Sequence, residues 1–147
     1  MGNEQSTSDE EAIRKLIAEH FSGMKWDDAQ EPDWEKFAED FHPAAILFPS
    51  ARPASAKTVE QFVERMNSVA RSALESFEEW TLGMKILQFA NVAVVLAASE
   101  MLENGTETNH DVSAYLLVKD QGRWRIAAHA WDKVSDENPL PEALRQP

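Results

Sequence analysis

Three long apolar stretches dominate the second half of the chain, and their punctuation predicts strands. Val92 to Glu103 is rich in Val, Leu and Ala and stops at Asn104-Gly105, residues suited to the positive φ of a tight hairpin turn. Thr106 to Lys119 follows, and Asp120-Gln121-Gly122 turns the chain into Arg123 to Val134. A further strand, Glu75 to Phe89, precedes them, with Gly83 marking a bulge or kink. Asn104-Gly105-Thr106 also matches a glycosylation sequon, but a turn explains it better.

The first half has the longer period of helices. Ile13, Leu16, Ile17, Phe21 and Met24 share one face at about 100° per residue, with His20 near the middle of that stripe. Ser8 or Asp9 is the expected cap, which leaves residues 1–8 as an expected disordered tail. Pro32 suits the start of a short second helix with the stripe Trp34, Phe37, Ala38 and Phe41, ended by His42-Pro43. Ala45 to Phe48 reads as a short buried strand, and Pro49 to Ala56 as a loop whose only charge is Arg52. Thr58 with Gln61 forms a capping-box signature for a third helix, whose apolar face includes Phe62, Val63 and Met66. After Val134, Pro139 and Pro141 predict an irregular tail over residues 135–147. The expectation is one α+β domain, residues 9–134, with helices on one face of a mostly antiparallel sheet.

Strand parity carries the pattern further. Both parities of Val92–Leu102 and of Val112–Val118 are apolar, whereas a sheet wet on one side should alternate. Helices cover one face only, so a second copy of the chain is the economical cover for the other, and a homodimer through the outer sheet face is expected. On the last strand Trp124, Ile126, Ala128, Ala130 and Asp132 share one side, and Arg125, His129, Trp131 and Lys133 the other. If Trp124 and Ile126 pack on the helices, Ala128 and Ala130 leave a cavity with Asp132 at its mouth. His129 and Trp131 then belong to the dimer face. The opposite parity exchanges those roles.

Composition limits the partners and the chemistry. The chain has 147 residues, 43% hydrophobic, with no cysteine, so disulfides, thiolate catalysis and cysteine zinc sites are excluded. No apolar run approaches the ~20 residues of a membrane span, and Met1 to Asp9 has no signal-peptide character, which makes a cytoplasmic protein the expectation. Fourteen Lys and Arg against 26 Asp and Glu give a net charge of -12, unsuited to nucleic acid or anionic membranes. There is no phosphate-binding glycine loop, no nucleophile elbow and no His-Glu-x-x-His, and four scattered histidines leave a metal site possible but unsupported, so none is assigned. The expected ligand is therefore a small apolar or amphipathic organic molecule, with no cofactor.

A His–Asp pair is the smallest unit able to run general acid–base catalysis, and His20 with Asp132 is the candidate pair. His20 is either a hydrogen-bonded core histidine or an imidazole on the floor of a pocket. His110 and Asp111 are strand neighbours pointing to opposite faces, which argues against a dyad. Trp34, Phe48, Trp80 and Tyr115, with Ala128 and Ala130, are the candidate ligand-lining residues.

Several motifs carry a resemblance. Trp34-Glu35-Lys36-Phe37 runs into Phe41-His42-Pro43-Ala44-Ala45-Ile46-Leu47-Phe48, followed by Asn91-Val92-Ala93-Val94-Val95 and by Leu116 to Ile126 with its Gly122-x-Trp124-x-Ile126 close. Together, over roughly residues 9–134, the chain resembles the nuclear transport factor 2-like superfamily, especially its SnoaL-type and ketosteroid-isomerase-like members. The resemblance implies a cone: a strongly curved sheet wrapped around helices, a pocket at the wide end, and dimers through the outer sheet face. Isomerase-like members carry a basic carboxylate near the position of Phe48-Pro49, and many relatives carry histidines at those of Ala128 and Ala130; this chain has neither. Two function classes follow: a cofactor-independent lyase, isomerase or hydratase using His/Asp chemistry, or a non-catalytic binding or dimerisation module of the same fold.

Overall fold

Ile13, Ile17 and Phe21 are almost fully buried along α1 (Gly2–Ser22), which lies in the concave side of a curled sheet. The computed structural model describes residues 2–145, the side chains of residues 2–7 and 71 aside. α1 starts at Gly2, so the expected cap at Ser8 or Asp9 lies inside the helix. Asp9 has a different task. It accepts hydrogen bonds from Lys119 Nζ at 2.9 Å, Trp124 Nε1 at 3.3 Å and Gln88 Nε2 at 3.3 Å, tying α1 to three strands. The Lys119 hydrogen bond holds its carboxyl below the usual range, against the opposing pull of burial.

The remaining elements are β1 (Lys25–Trp26), α2 (Trp34–Glu39), β2 (Phe41–Phe48), β3 (Lys57–Thr58), α3 (Val59–Ser72), β4 (Phe77–Phe89), β5 (Val92–Glu103), β6 (Glu107–Asp120) and β7 (Arg123–Lys133). Asp33 caps α2 by accepting from the Lys36 amide. The capping box of α3 forms as expected, with Gln61 N donating to Thr58 Oγ1 and Thr58 N to Gln61 Oε1. The seven strands make one sheet in the order β1-β4-β5-β6-β7-β2-β3, with β2–β7 parallel and the other pairs antiparallel. Three helices against a strongly curled mixed sheet give the expected cone-like α+β architecture. Both hairpins turn where the sequence places them, with positive φ at Asn104 (52°), Gly105 (73°), Gln121 (52°) and Gly122 (76°).

Two bulges decide which side chains face inward. On β4 the register slips between Thr81 and Gly83, beside the glycine flagged in the sequence. On β7, Ile126 pairs Leu117 while Ala128 pairs Leu116, which leaves Ala127 as one extra residue. Trp124 and Ile126 pack into the core as expected, but the extra residue inverts everything after them.

The outer face of the sheet is apolar and open. Ile46, Leu87, Phe89, Val92, Val94, Leu96 and Leu116, the large hydrophobics exposed among the described residues, all stand on it. Beyond β7 the chain returns as a short 3-10 turn, Glu142–Leu144, packed against β4 and β5. Leu144 and the outward-facing Ala98 are both buried there, apart from the main core.

Candidate functional site

Between the helices and the concave sheet lies a cavity of about 290 Å³. α1 contributes His20, Phe21 and Met24; α2 and α3 contribute Phe37, Phe62 and Met66. The sheet contributes Phe77 and Glu79 from β4, Met101 from β5, Asp111, Ser113 and Tyr115 from β6, and His129 and Trp131 from β7. The exposed area of the wall is mainly apolar, with polar groups from α1 and from β4, β5, β6 and β7 set into it.

His20 is in that wall because its place on the α1 stripe turns it inward with Ile13, Ile17 and Phe21. Its ring stacks on Phe37 at 4.7 Å and meets Phe41 edge-on at 5.1 Å, which fixes its plane. Nδ1 lies 2.7 Å from Asp40 Oδ2. Asp40 is the C-cap of α2, so the turn into β2 delivers its carboxylate to the helix that holds His20. A carboxylate on Nδ1 selects the tautomer that leaves the Nε2 lone pair free. Nε2 has no hydrogen-bond partner among the described residues.

Tyr115 and His129 are cross-strand partners, their rings stacked at 4.1 Å and 15°. Among the described residues, the Tyr115 hydroxyl and both ring nitrogens of His129 are buried without a hydrogen-bond partner. Buried polar groups are normally paired, so these three unpaired positions on two residues bordering the cavity are unusual. Burial raises the Tyr115 phenol well above its ordinary value, with Glu79 adding to the effect, so it keeps its proton. Burial lowers His129 well below its ordinary value, with His20 adding to that, so the ring is neutral. Asp111 is raised to about 6, chiefly by burial, with Lys133 opposite it in register pulling the other way.

The expected site residues are thus redistributed. Tyr115 lines the cavity, and His20 lies on its wall. Asp132 does not pair with His20. It is exposed on the outer side and sits 3.5 Å from Arg52, while Asp40 takes the role expected of it. Ala128 and Ala130 face outward and His129 and Trp131 inward, the reverse of the expected parity, because of the extra residue at Ala127. The dimer-face role expected of His129 and Trp131 therefore has no geometric basis. Phe48 is opposite Ala130 on the outer face, and Trp80 opposite Glu100 on the same side. Trp34 packs beside Trp26 and Phe37 and borders a separate polar groove at the helix side. Asp40 and Glu79 were the residues sequence reasoning missed. Among the described residues, no group of three or more potential ligands is placed to hold a metal, and no helix is long and apolar enough to cross a membrane.

A cone of this topology with a cavity between helices and sheet defines a class, the nuclear transport factor 2-like fold. Solved structures agree with it. A candidate scytalone dehydratase from Novosphingobium aromaticivorans matches at TM-score 0.70, with 10% identity over 98% of this chain and 96% of the other. A candidate dehydratase of the same fold family from Streptomyces avermitilis matches at TM-score 0.69, with 11% identity over 88% and 99%. A nuclear transport factor 2-like protein of unknown function from Pseudomonas putida matches at TM-score 0.69, with 11% identity over 91% and 93%. No family model and no curated protein matches the sequence. The chain has the nuclear transport factor 2-like fold; at these identities the likeness reaches no further than the fold.

Proposed function

We propose that the protein is a cofactor-independent lyase or isomerase that moves protons on a small organic substrate inside the cone. The observation that carries this reading is the His20–Asp40 pair, with a carboxylate on Nδ1 at 2.7 Å and Nε2 unpartnered beside the cavity. Asp40 orients the imidazole and stabilises the imidazolium that forms when Nε2 takes a proton. Tyr115, kept as a phenol, and His129, kept neutral, offer hydrogen-bond donors to an oxygen on which charge develops. A carbonyl compound with an acidic neighbouring C–H suits that set. The cavity lies at the lower end of the ~300–1,000 Å³ range of ligand pockets, so the substrate is small and largely apolar. The dehydratase names given to two proteins of this fold accord with proton abstraction, without specifying a substrate here.

The proposal includes a homodimer. Seven exposed large hydrophobics gathered on the convex sheet face favour a second copy as its cover.

The test uses 5-nitrobenzisoxazole, which opens to a coloured phenoxide once a base removes the C–H of its isoxazole ring. The unaltered protein should convert it faster than free imidazole does, and His20→Asn should lower the rate by on the order of 10²-fold. Retention of the compound without turnover would favour a binding module, and a rate indifferent to His20→Asn would remove His20 as the base.

A further inference from the structure

Glu79 is an acid that the scheme above leaves without a task, and its setting differs from an ordinary surface carboxylate. It stands on the inward face of β4, 8% exposed, and borders the same cavity as His20, Tyr115 and His129. Among the described residues it has no ion-pair partner. Its one hydrogen bond comes from the adjacent strand, where Ser99 Oγ donates to Oε2 at 2.8 Å. Ser99 is itself fully buried. The other charged groups bordering the space are Glu103 from β5, Asp111 and His110 from β6, and Lys133 from β7. Lys133 stands opposite Asp111 in strand register, while Asp40 stands behind His20.

A buried carboxylate with no counter-ion is costly, so the group keeps its proton instead. Burial chiefly, with the charge of Asp111 adding to it, raises Glu79 to about 8, against the downward pull of the Ser99 hydrogen bond. Ser99 occupies one carboxyl oxygen with a donated proton. The acid's own O–H then belongs to the other oxygen.

We propose that Glu79, braced by Ser99, is the proton donor of the cavity, and that its substrates carry a hydroxyl on the carbon next to the one that loses its proton. The inference rests on the enzyme reading above. His20 Nε2 takes the C–H proton, and the electron pair left behind becomes the new C=C bond. The C–O bond breaks, and the departing oxygen takes the Glu79 proton and leaves as water. His20 ends as imidazolium and Glu79 as carboxylate, and a proton passed between them through the released water restores both. The net change is loss of one water, with no oxidant or reductant.

Two benzisoxazoles separate the roles. The unsubstituted compound expels a poor leaving oxygen that gains from a proton donor, whereas the 5-nitro compound expels one that hardly needs it. Glu79→Gln should slow the unsubstituted compound by on the order of 10²-fold and the nitro compound by less than about 10-fold. Equal losses on both overturn the donor role while leaving His20 as base. If His20→Asn spares both rates, the enzyme reading falls and this inference with it. Carbon-13 NMR of the unaltered protein gives a second arm, with the Glu79 carboxyl identified by its absence from Glu79→Gln. A carboxyl still protonated at neutral pH supports the assignment; a midpoint in the ordinary glutamate range overturns it.

Discussion

Replacing Glu79 with Gln should shift the difference in stability between the two proteins toward the variant as pH rises. In the folded chain Glu79 titrates at about 8, against an ordinary value of 4.5. Below about pH 4.5 the group is neutral in both states and contributes nothing. Between these values the unfolded chain ionises while the folded chain does not. The folded state then binds more protons, so stability falls by ~1.4 kcal/mol for each pH unit gained. Above about 8 both states are ionised and the loss levels off. At pH 7 the accumulated loss is ~3 kcal/mol, and at pH 5.5 ~1 kcal/mol. Gln removes this dependence, but its amide N–H groups gain no obvious partner, an offset of ~1–3 kcal/mol that does not vary with pH. The quantity to measure is therefore the change in the difference between the two proteins: ~2 kcal/mol in favour of Glu79→Gln from pH 5.5 to pH 7. Urea unfolding followed by tryptophan fluorescence, at one protomer concentration, reads it directly. Thermal melts should show the gap widening by about 4–8 °C. Asp111 is present in both proteins and largely cancels. Parallel stability curves across this window would falsify the claim that Glu79 is buried as a neutral acid.

Other substitutions probe separate parts of the structure. Leu87→Glu puts a charge in the middle of the exposed apolar strip; it should convert a dimer to a monomer in sedimentation, and a wild-type monomer refutes the proposed interface. His129→Phe replaces two orphan nitrogens with apolar ring and keeps the stack on Tyr115. It should raise stability by ~1–2 kcal/mol in urea while slowing benzisoxazole opening; a loss of stability would mean that the ring nitrogens do have partners. Asp9→Asn weakens the junction with Lys119, Trp124 and Gln88 and should cost ~1–3 kcal/mol near neutral pH. Because the folded Asp9 is shifted downward, that contribution is complete above about pH 4 and fades as acid protonates the folded carboxyl, so the two proteins should converge in acid. Divergence there refutes the role of the charge.

The strands, their turns and the curled sheet were legible because each rests on local signals. Asn104-Gly105 and Gln121-Gly122 adopt the positive φ that their composition favours, and the apolar double parity of β5 reappears as one buried and one exposed file of side chains. The site was less legible, for two physical reasons. Strand parity holds only while pairing stays in step, and Ala127 sits in the run Ala-Ala-His-Ala, three alanines about one histidine, with no polar alternation to betray an insertion. His20 could be picked out because one imidazole interrupts an apolar helical stripe. Its partner could not: Asp40 is one of 26 acids, and only the turn from α2 into β2 brings it within 2.7 Å. Glu79 hides for the same reason. In Phe77-Glu78-Glu79-Trp80 two identical residues differ only in which side of the sheet each faces, and one meets solvent while the other meets the cavity.

The single surplus residue on β7 has a consequence for how such proteins diversify. Straightening the strand with every residue kept would rotate each later side chain by half a turn, withdrawing an imidazole and an indole from the interior and presenting two methyl groups in their place, whereas deleting Ala127 would remove the bulge and leave the later side chains facing as they do. Loss of the bulge alone, with the sequence of the strand unchanged, would thus exchange a reactive lining for an inert one. Comparisons that match such chains position by position, without allowing for that slip, will assign the chemistry to the neighbouring residue.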